Sequence, residues 1–116
     1  MRIVAAAVLA LVAAPPAAGA RTTDVGVGLR EFRLSPYRDT VRTGYVLFHI
    51  SNLGEDGHNL VVMRRGRVYG GTPEIRSHEE RTLRVRLRRA GHYRLVCTIA
   101  DHEARGMKAR LVVRSR

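Results

Sequence analysis

The sequence predicts an all-β protein, a small β-sandwich. Apolar residues alternate with polar ones in several short stretches, which is the pattern of half-buried strands. Glycine-containing turn sequences separate these stretches at intervals suited to short antiparallel strands. No stretch of about ten residues has helical periodicity. The turn sequences are Thr43–Gly44, Leu53–Gly54, Gly57, Gly70–Pro73 and Ala90–Gly91.

The first predicted strand covers residues 25–29, where valine and leucine alternate with glycine. The apolar residues then change parity, because Phe32 and Leu34 follow on the opposite face. We therefore expect a bulge or bend near Arg30–Glu31, and we expect Pro36 to end this part of the chain.

The later strands are predicted from the same alternation. In residues 83–88 three aliphatic side chains share one face and Arg84, Arg86 and Arg88 share the other, as in a strand with one solvated face. The other predicted strands cover residues 46–50, 59–63, 93–97 and 111–113. The sequence contains no internal repeat.

The first 20 residues resemble a cleaved secretory signal peptide. Arg2 precedes an apolar stretch from Ile3 to about Ala14, two prolines end it, and small residues precede Arg21. The stretch is shorter than the ~20 residues needed to span a bilayer, so retention as an anchor is the weaker alternative. We expect a signal at 1–20 and a single domain at 21–116, exported to the periplasm, cell envelope or medium without a transmembrane span.

The chain is strongly basic, with a formal net charge of +11, and nearly all of its cationic side chains are arginine. Such a charge fits nucleic acid or an anionic surface. Export argues against nucleic acid. The arginines at 84, 86 and 88 are therefore predicted to form a solvated face that also suits anionic lipid, cell-wall polymer or an acidic redox partner.

A thiol, an imidazole and a thioether lie close together near the C-terminus, at Cys97, His102 and Met107. Each residue alone is more often structural, because cysteine and methionine pack readily in cores. Together, in an exported chain with a single cysteine and therefore no intrachain disulfide, they indicate a copper site. His58 is the candidate for a second imidazole. His49, His78 and His92 are predicted to be surface residues.

Catalysis is not predicted. We find no pair of carboxylates in a setting that suggests acid–base chemistry. The sequence also gives no support for a serine nucleophile. Near the candidate copper site, acidic residues offset basic ones, so docking of a partner through charge alone is not assured. These residues are Glu55, Asp56, Asp101 and Glu103 on one side and Arg105 and Lys108 on the other.

The order of these residues resembles that of the cupredoxins, the small blue copper proteins of the plastocyanin and azurin type. The resemblance spans nearly all of the chain after residue 20. It consists of Pro36 after an early strand, the Asn52–Leu53–Gly54 turn, His58 opening a strand, Gly91–His92–Tyr93 through Cys97, His102, Gly106–Met107, and the final strand Leu111–Val113.

This resemblance implies a cupredoxin-like Greek-key β-sandwich that holds one type 1 copper ion per chain. His58, Cys97 and His102 would be the strong equatorial ligands, and Met107 would be the long axial ligand. Asn59 would tie the two ligand loops together and set hydrogen bonding near the cysteine sulfur; the alternative is a solvent-facing asparagine at the start of the strand. Loss of the metal is expected to lower stability.

Two positions depart from the family pattern. Asp101 stands where glycine is usual, and its carboxylate can accept a hydrogen bond from an imidazole, supply an oxygen ligand or point into solvent. Ala109 also stands where glycine is common, which indicates a slightly different exit from the ligand loop.

The function implied by the resemblance is outer-sphere electron transfer with redox partner proteins outside the cytoplasm. His102 would be the electron port where its ring edge is exposed. One alternative is an exported copper carrier that uses the same ligands for delivery. A metal-free sandwich used for adhesion is a third interpretation, and it requires the four ligands to occur together by coincidence.

Overall fold

Two β-sheets pack face to face in the computed structural model, which describes residues 21–116. The predicted signal peptide lies outside the described residues. In chain order the strands of this part are β1 (Thr22–Arg30), β2 (Arg33–Pro36), β3 (Thr40–Arg42), β4 (Gly44–Asn52), β5 (Val61–Arg64), β6 (Arg67–Gly71), β7 (Glu80–Leu87), β8 (Gly91–Val96) and β9 (Lys108–Arg114).

One sheet has the strand order β2-β1-β4-β7 and the other has the order β3-β9-β8-β5-β6. The pairs β1–β4 and β3–β9 are parallel, and the other pairs are antiparallel. The all-β Greek-key sandwich predicted from the sequence is confirmed. Among residues 21–116 we find no helix of the length and hydropathy needed to cross a membrane.

The core lies between the inner faces of the two sheets. Period-two alternation buries Val46, Phe48 and Ile50 from β4, and Val85 and Leu87 from β7. The opposite sheet contributes residues that are equally buried, which are Val62, Tyr93, Leu95, Leu111 and Val113. The exposed face of β7 carries Arg84 and Arg86, as the alternation predicted, whereas Arg88 lies just after the strand, in the turn to β8.

The bend expected near Arg30–Glu31 is a complete reversal of the chain. Residues 31 and 32 form a tight turn, and β2 pairs antiparallel with β1 in the register Arg30↔Arg33 and Leu29↔Leu34. The expectation of one bulged or bent strand was therefore wrong. The parity change of Phe32 and Leu34 arises because the chain turns back, which places Leu34 in the same core as Leu29.

Two short strands, β3 and β6, were not predicted. β3 pairs with β9 over three residues, and β6 is a mostly exposed edge strand. Neither carries a long alternating pattern, so only pairing with a neighbour defines them. The strand predicted at 59–63 begins at Val61, so His58 does not open it and instead forms an isolated bridge with Ile75.

Candidate metal centre

Three side chains converge at one end of the sandwich, where β4 and β8 both finish. The Nδ1 atoms of His58 and His102 are 3.1 Å apart. The Sγ atom of Cys97 lies 3.9 Å from Nδ1 of His58 and 3.6 Å from Nδ1 of His102. His58 and Cys97 are fully buried and His102 is 6% exposed. Two nitrogens and one sulfur thus form a small buried triangle of donor atoms.

The loop after β4 holds His58 through backbone and side-chain hydrogen bonds. His58 exchanges two backbone hydrogen bonds with Ile75, of 3.1 and 2.7 Å. The buried amide of Asn52 donates to the carbonyl oxygens of Asp56 and Ile75, and its oxygen accepts from the backbone N–H of Gly54. The Asn52–Leu53–Gly54 turn therefore braces the segment that presents the imidazole.

Glu31, in the turn between β1 and β2, fixes the orientation of the His58 ring. One carboxylate oxygen lies 3.0 Å from Nε2 of His58 and also accepts the backbone N–H groups of Glu55 and Asp56. A carboxylate only accepts hydrogen bonds, so Nε2 carries the proton and Nδ1 of the neutral ring keeps a free lone pair. That lone pair is on the atom that faces Cys97 and His102.

The pKa of Glu31 falls from its ordinary value of 4.5 to about 2. The hydrogen bond from the backbone of Asp56 is the main cause, and the bonds from His58 and from the backbone of Glu55 add to it. A negative charge is therefore held beside the outer edge of His58 at neutral pH. Glu31 was not among the residues predicted for the site, because nothing in the local sequence marks it as one.

Asn59 ties the two loops together. Its Nδ2 donates to the hydroxyl of Thr98 at 2.8 Å, and its Oδ1 accepts the backbone N–H of Thr98 at 2.7 Å. Its own backbone N–H lies 3.5 Å from the sulfur of Cys97. One residue thus links the neighbours of two donor residues, His58 and Cys97, and its backbone N–H points toward the sulfur.

The segment from Cys97 to Met107 closes on itself as a compact loop. The N–H of Cys97 donates to the carbonyl oxygen of Met107, and the N–H of Met107 donates to that of His102. Gly106 has a positive φ of 122°, and a Cβ there would come within 3.1 Å of the carbonyl oxygen of Phe32. Met107 is fully buried in the core beside this loop.

The outer side of His102 is almost closed. Its side chain is 8% exposed, and the ring of Phe32 packs against it with a centroid distance of 5.1 Å. The carboxylate of Asp56 lies 3.8 Å from Nε2. Only a small edge of the imidazole therefore reaches the surface.

Asp101 turns away from the donor triangle. Its carboxylate is exposed and binds the side chain of Arg105 at 2.7 Å, and this bond lowers the pKa of Asp101. Of the alternatives open from the sequence, the structure favours the solvent-facing one. His49, His78 and His92 are exposed, as predicted.

The donor set fits a transition-metal ion. Bonds of about 2.0 Å to nitrogen and about 2.3 Å to sulfur in a trigonal arrangement would separate the donors by about 3.5–3.8 Å. The observed separations of 3.1, 3.6 and 3.9 Å bracket this range. His58, Cys97 and His102 also form a group in which all candidate donor atoms lie within 4.8 Å of one another. Two imidazoles with one thiolate are the equatorial set of blue copper sites.

Comparison with known proteins identifies the fold from structure alone. No protein-family model and no curated protein sequence matches the chain. Solved structures do match, and several of them are small copper proteins. Auracyanin A from Chloroflexus aurantiacus, described as a "blue" copper protein, superposes with a TM-score of 0.67 at 14% identity, covering 80% of this chain and 99% of that one.

Two further relatives in structure support the same fold. Reduced rusticyanin superposes with a TM-score of 0.65 at 19% identity, covering 80% of this chain and 79% of its own. An azurin from Methylomonas sp. strain J gives a TM-score of 0.59 at 14% identity, covering 81% and 98%. These proteins are cupredoxins. The chain therefore has the cupredoxin fold, as the sequence resemblance indicated.

Proposed function

We propose that this protein binds one type 1 copper ion and transfers electrons by an outer-sphere mechanism. The observation that carries the proposal is the buried convergence of His58, Cys97 and His102 in a cupredoxin fold. Thiolate stabilises Cu(I) and imidazole suits both oxidation states, so this set permits cycling between Cu(II) and Cu(I). We assign Met107, buried at the end of the same loop, as the weak axial ligand.

Rigidity of the donor atoms supports electron transfer over copper delivery. An electron carrier needs ligands that move little when the oxidation state changes, whereas a delivery protein needs an open and exchangeable site. Here the imidazoles and the thiol are nearly inaccessible, and both ligand loops are held by hydrogen bonds, those that Glu31 accepts and those that Asn59 makes with Thr98. The small exposed edge of His102 serves as the electron port.

The protein is proposed to act outside the cytoplasm and to have no substrate chemistry of its own. Export rests on the signal-like residues 1–20. A multicopper oxidase also matches in structure, but this chain spans only 42% of it. The described residues offer one three-donor cluster, whereas catalysis in such enzymes needs further metal ligands or domains. A redox partner protein would dock at the end that bears His102.

The first experiment is the visible absorption spectrum of the purified protein after addition of Cu(II). We expect an intense copper–thiolate charge-transfer band, its loss in Cys97→Ser, and its retention in His92→Gln, which alters an exposed histidine on β8. Reversible voltammetry of the copper form then tests electron transfer itself.

Two results would contradict the proposal. A band that survives in Cys97→Ser would show that the thiolate is not a ligand. A site that gives up Cu(I) rapidly to a soluble chelator, and that shows no reversible redox wave, would favour the exported carrier instead.

A further inference from the structure

The end of the sandwich opposite the donor atoms is a surface made of arginine. It is built by the turn between β5 and β6 with the start of β6, by the turn between β7 and β8, and by the end of β9 with the residues after it. The strand registers place these segments together, since Met63 near the end of β5 pairs with Arg94 in β8, and Gly91 at the start of β8 pairs with Val113 near the end of β9. We name it the arginine end and define it by the exposed residues Arg65, Arg67, Arg88, Arg89, Arg114 and Arg116.

Acidic residues do not balance this charge. The segments 40–46, 63–71, 84–94 and 110–116, which build the arginine end and its surroundings, contain no Asp or Glu. In the described chain the salt bridges made by arginine are those of Arg94 with Glu103 and of Arg105 with Asp101. Both acidic partners belong to the end with the donor atoms, so the arginine end presents its cationic groups to solvent.

The shape of the arginine end also suits a layer of anionic headgroups. Arg67, Arg88 and Arg89, with Arg86 and Tyr69, line an open groove of about 330 Å³. Val68, which lies between Arg67 and Tyr69 in β6 and so faces away from the groove, is 57% exposed. Guanidinium groups bind phosphate oxygens in a bidentate manner.

The path of the chain leads to the same end. β1 begins at Thr22, which pairs with Tyr45 at the start of β4, so Arg21 enters at the arginine end. The apolar stretch from Ile3 to Ala14 precedes it in the sequence. Residues 15–21 span at most about 25 Å when fully extended. Until the predicted signal peptide is cleaved, a membrane that receives the apolar stretch during export therefore lies within reach of the arginine end.

We propose that the arginine end is a docking surface for the anionic headgroups of a phospholipid membrane. Arginine clusters bind such surfaces electrostatically, and the attraction decays over about one Debye length. β4 spans nine residues, so the donor atoms lie about 25–30 Å from this surface and face away from the membrane. Docking would thus orient the protein with its copper end toward the aqueous phase.

The test is cosedimentation of residues 21–116 with lipid vesicles. This part contains every described strand and the core between the sheets, and it omits the apolar stretch that would bind lipid by itself. Vesicles of mixed phosphatidylglycerol and phosphatidylcholine are compared with vesicles of phosphatidylcholine alone. We expect binding to the anionic vesicles only, and we expect added salt to weaken it.

Two variants with equal loss of charge locate the surface. Neutralising four arginines of the arginine end should weaken vesicle binding about tenfold or more, whereas neutralising four exposed arginines near the donor atoms should change it less than about twofold. The first variant is Arg65→Gln, Arg67→Gln, Arg88→Gln and Arg89→Gln. The second is Arg30→Gln, Arg33→Gln, Arg76→Gln and Arg81→Gln.

Circular dichroism and thermal unfolding test whether both variants fold. If the first variant does not fold, it is replaced by the double variants Arg65→Gln, Arg67→Gln and Arg88→Gln, Arg89→Gln. Equal loss of binding in the two variants would overturn the proposal, because net charge alone would then explain it. Binding to phosphatidylcholine, or displacement from vesicles by duplex DNA at equal phosphate concentration, would overturn it as well. Metal-free protein is used, so the result is independent of the copper proposal.

Discussion

The two ends of this sandwich differ in how they hold their chemistry. At the donor end, the candidate ligands are buried and hydrogen bonds hold their loops, since Glu31 accepts from His58 and Asn59 bonds to Thr98 beside Cys97. At the arginine end, the functional groups are exposed side chains without acidic partners. A site that must keep a fixed geometry requires packing around it, whereas a surface that attracts a membrane requires only charge.

Replacing Glu31 should have the largest effect. Glu31→Gln removes the negative charge and weakens the acceptor that orients His58, so we expect copper affinity to fall about 10- to 100-fold. The reduction potential should rise, because a carboxylate beside the ligand favours Cu(II) over Cu(I). Competition with a chelator measures the affinity, and voltammetry measures the potential.

Glu55→Gln is the matched control for this prediction. It removes the same charge from the neighbouring loop, but the side chain of Glu55 is 86% exposed and does not contact His58. Equal shifts of the potential in both variants would show that long-range charge, rather than the hydrogen bond, is responsible. The donor end would then depend on charge alone, as the arginine end does.

Removing the Asn59 side chain should lower the free energy of unfolding. Asn59→Ala deletes two hydrogen bonds to Thr98 and leaves a backbone N–H without its acceptor, so we expect a loss of about 2 kcal/mol. Copper should also dissociate faster, since the two ligand loops are no longer tied. Chemical denaturation of the metal-free and copper forms checks both effects. An unchanged unfolding midpoint would show that the Asn59 side chain does not stabilise the two ligand loops.

Tyr93 is the exception near the arginine end, because it is fully buried and donates a hydrogen bond to the carbonyl oxygen of Arg89. Burial raises the pKa of Tyr93 above its ordinary value of 10.0. Its contribution to stability is therefore complete below about pH 10 and is lost as the pH rises toward the folded-state pKa. Tyr93→Phe should cost about 1 kcal/mol at neutral pH.

Above about pH 10 the stabilities of the parent and of Tyr93→Phe should converge, because the Tyr93 hydroxyl ionises more readily in the unfolded chain than in the fold, which favours unfolding of the parent only. Tyr37→Phe provides the control, since Tyr37 is 76% exposed. Urea unfolding at a series of pH values measures the difference. Parallel curves at all pH values would indicate that Tyr93 does not couple stability to pH.

The smallest effect is expected for the exposed arginines. Arg88→Gln and Arg89→Gln should each change the free energy of unfolding by no more than about 0.5 kcal/mol, because neither side chain is packed in the core. Thermal unfolding checks this. A loss above about 1 kcal/mol would mean that the arginine end is structural, and it would weaken the contrast between the two ends.

Much of the fold was predictable because period-two alternation reports directly which side of a strand is buried. β4, β7 and β8 follow from it, and so do the buried residues Phe48 and Leu95. The hairpin of β1 and β2 was not predicted. A parity change in the sequence is equally consistent with a bulge and with a reversal, and pairing with another segment decides between them.

The candidate donor residues His58, Cys97, His102 and Met107 could be selected from the sequence, because their chemical types and their order are unusual together. The carboxylate that hydrogen-bonds to His58, which belongs to Glu31, could not be selected from the sequence. Glu31 is 27 residues away, and nothing in the local sequence distinguishes it from other surface glutamates. The same holds for Phe32, which covers His102 only after the chain has turned.

The sequence by itself determined the alternation, the ligand types and the total charge, since these are properties of local order and composition. Only the tertiary structure decided which groups meet. It brought Glu31 to His58, joined Asn59 to Thr98 and collected arginines from separate turns at one end. The physical reason is that strand pairing and sheet packing place residues distant in the chain within a few ångströms of one another, and local sequence carries little information about those partners.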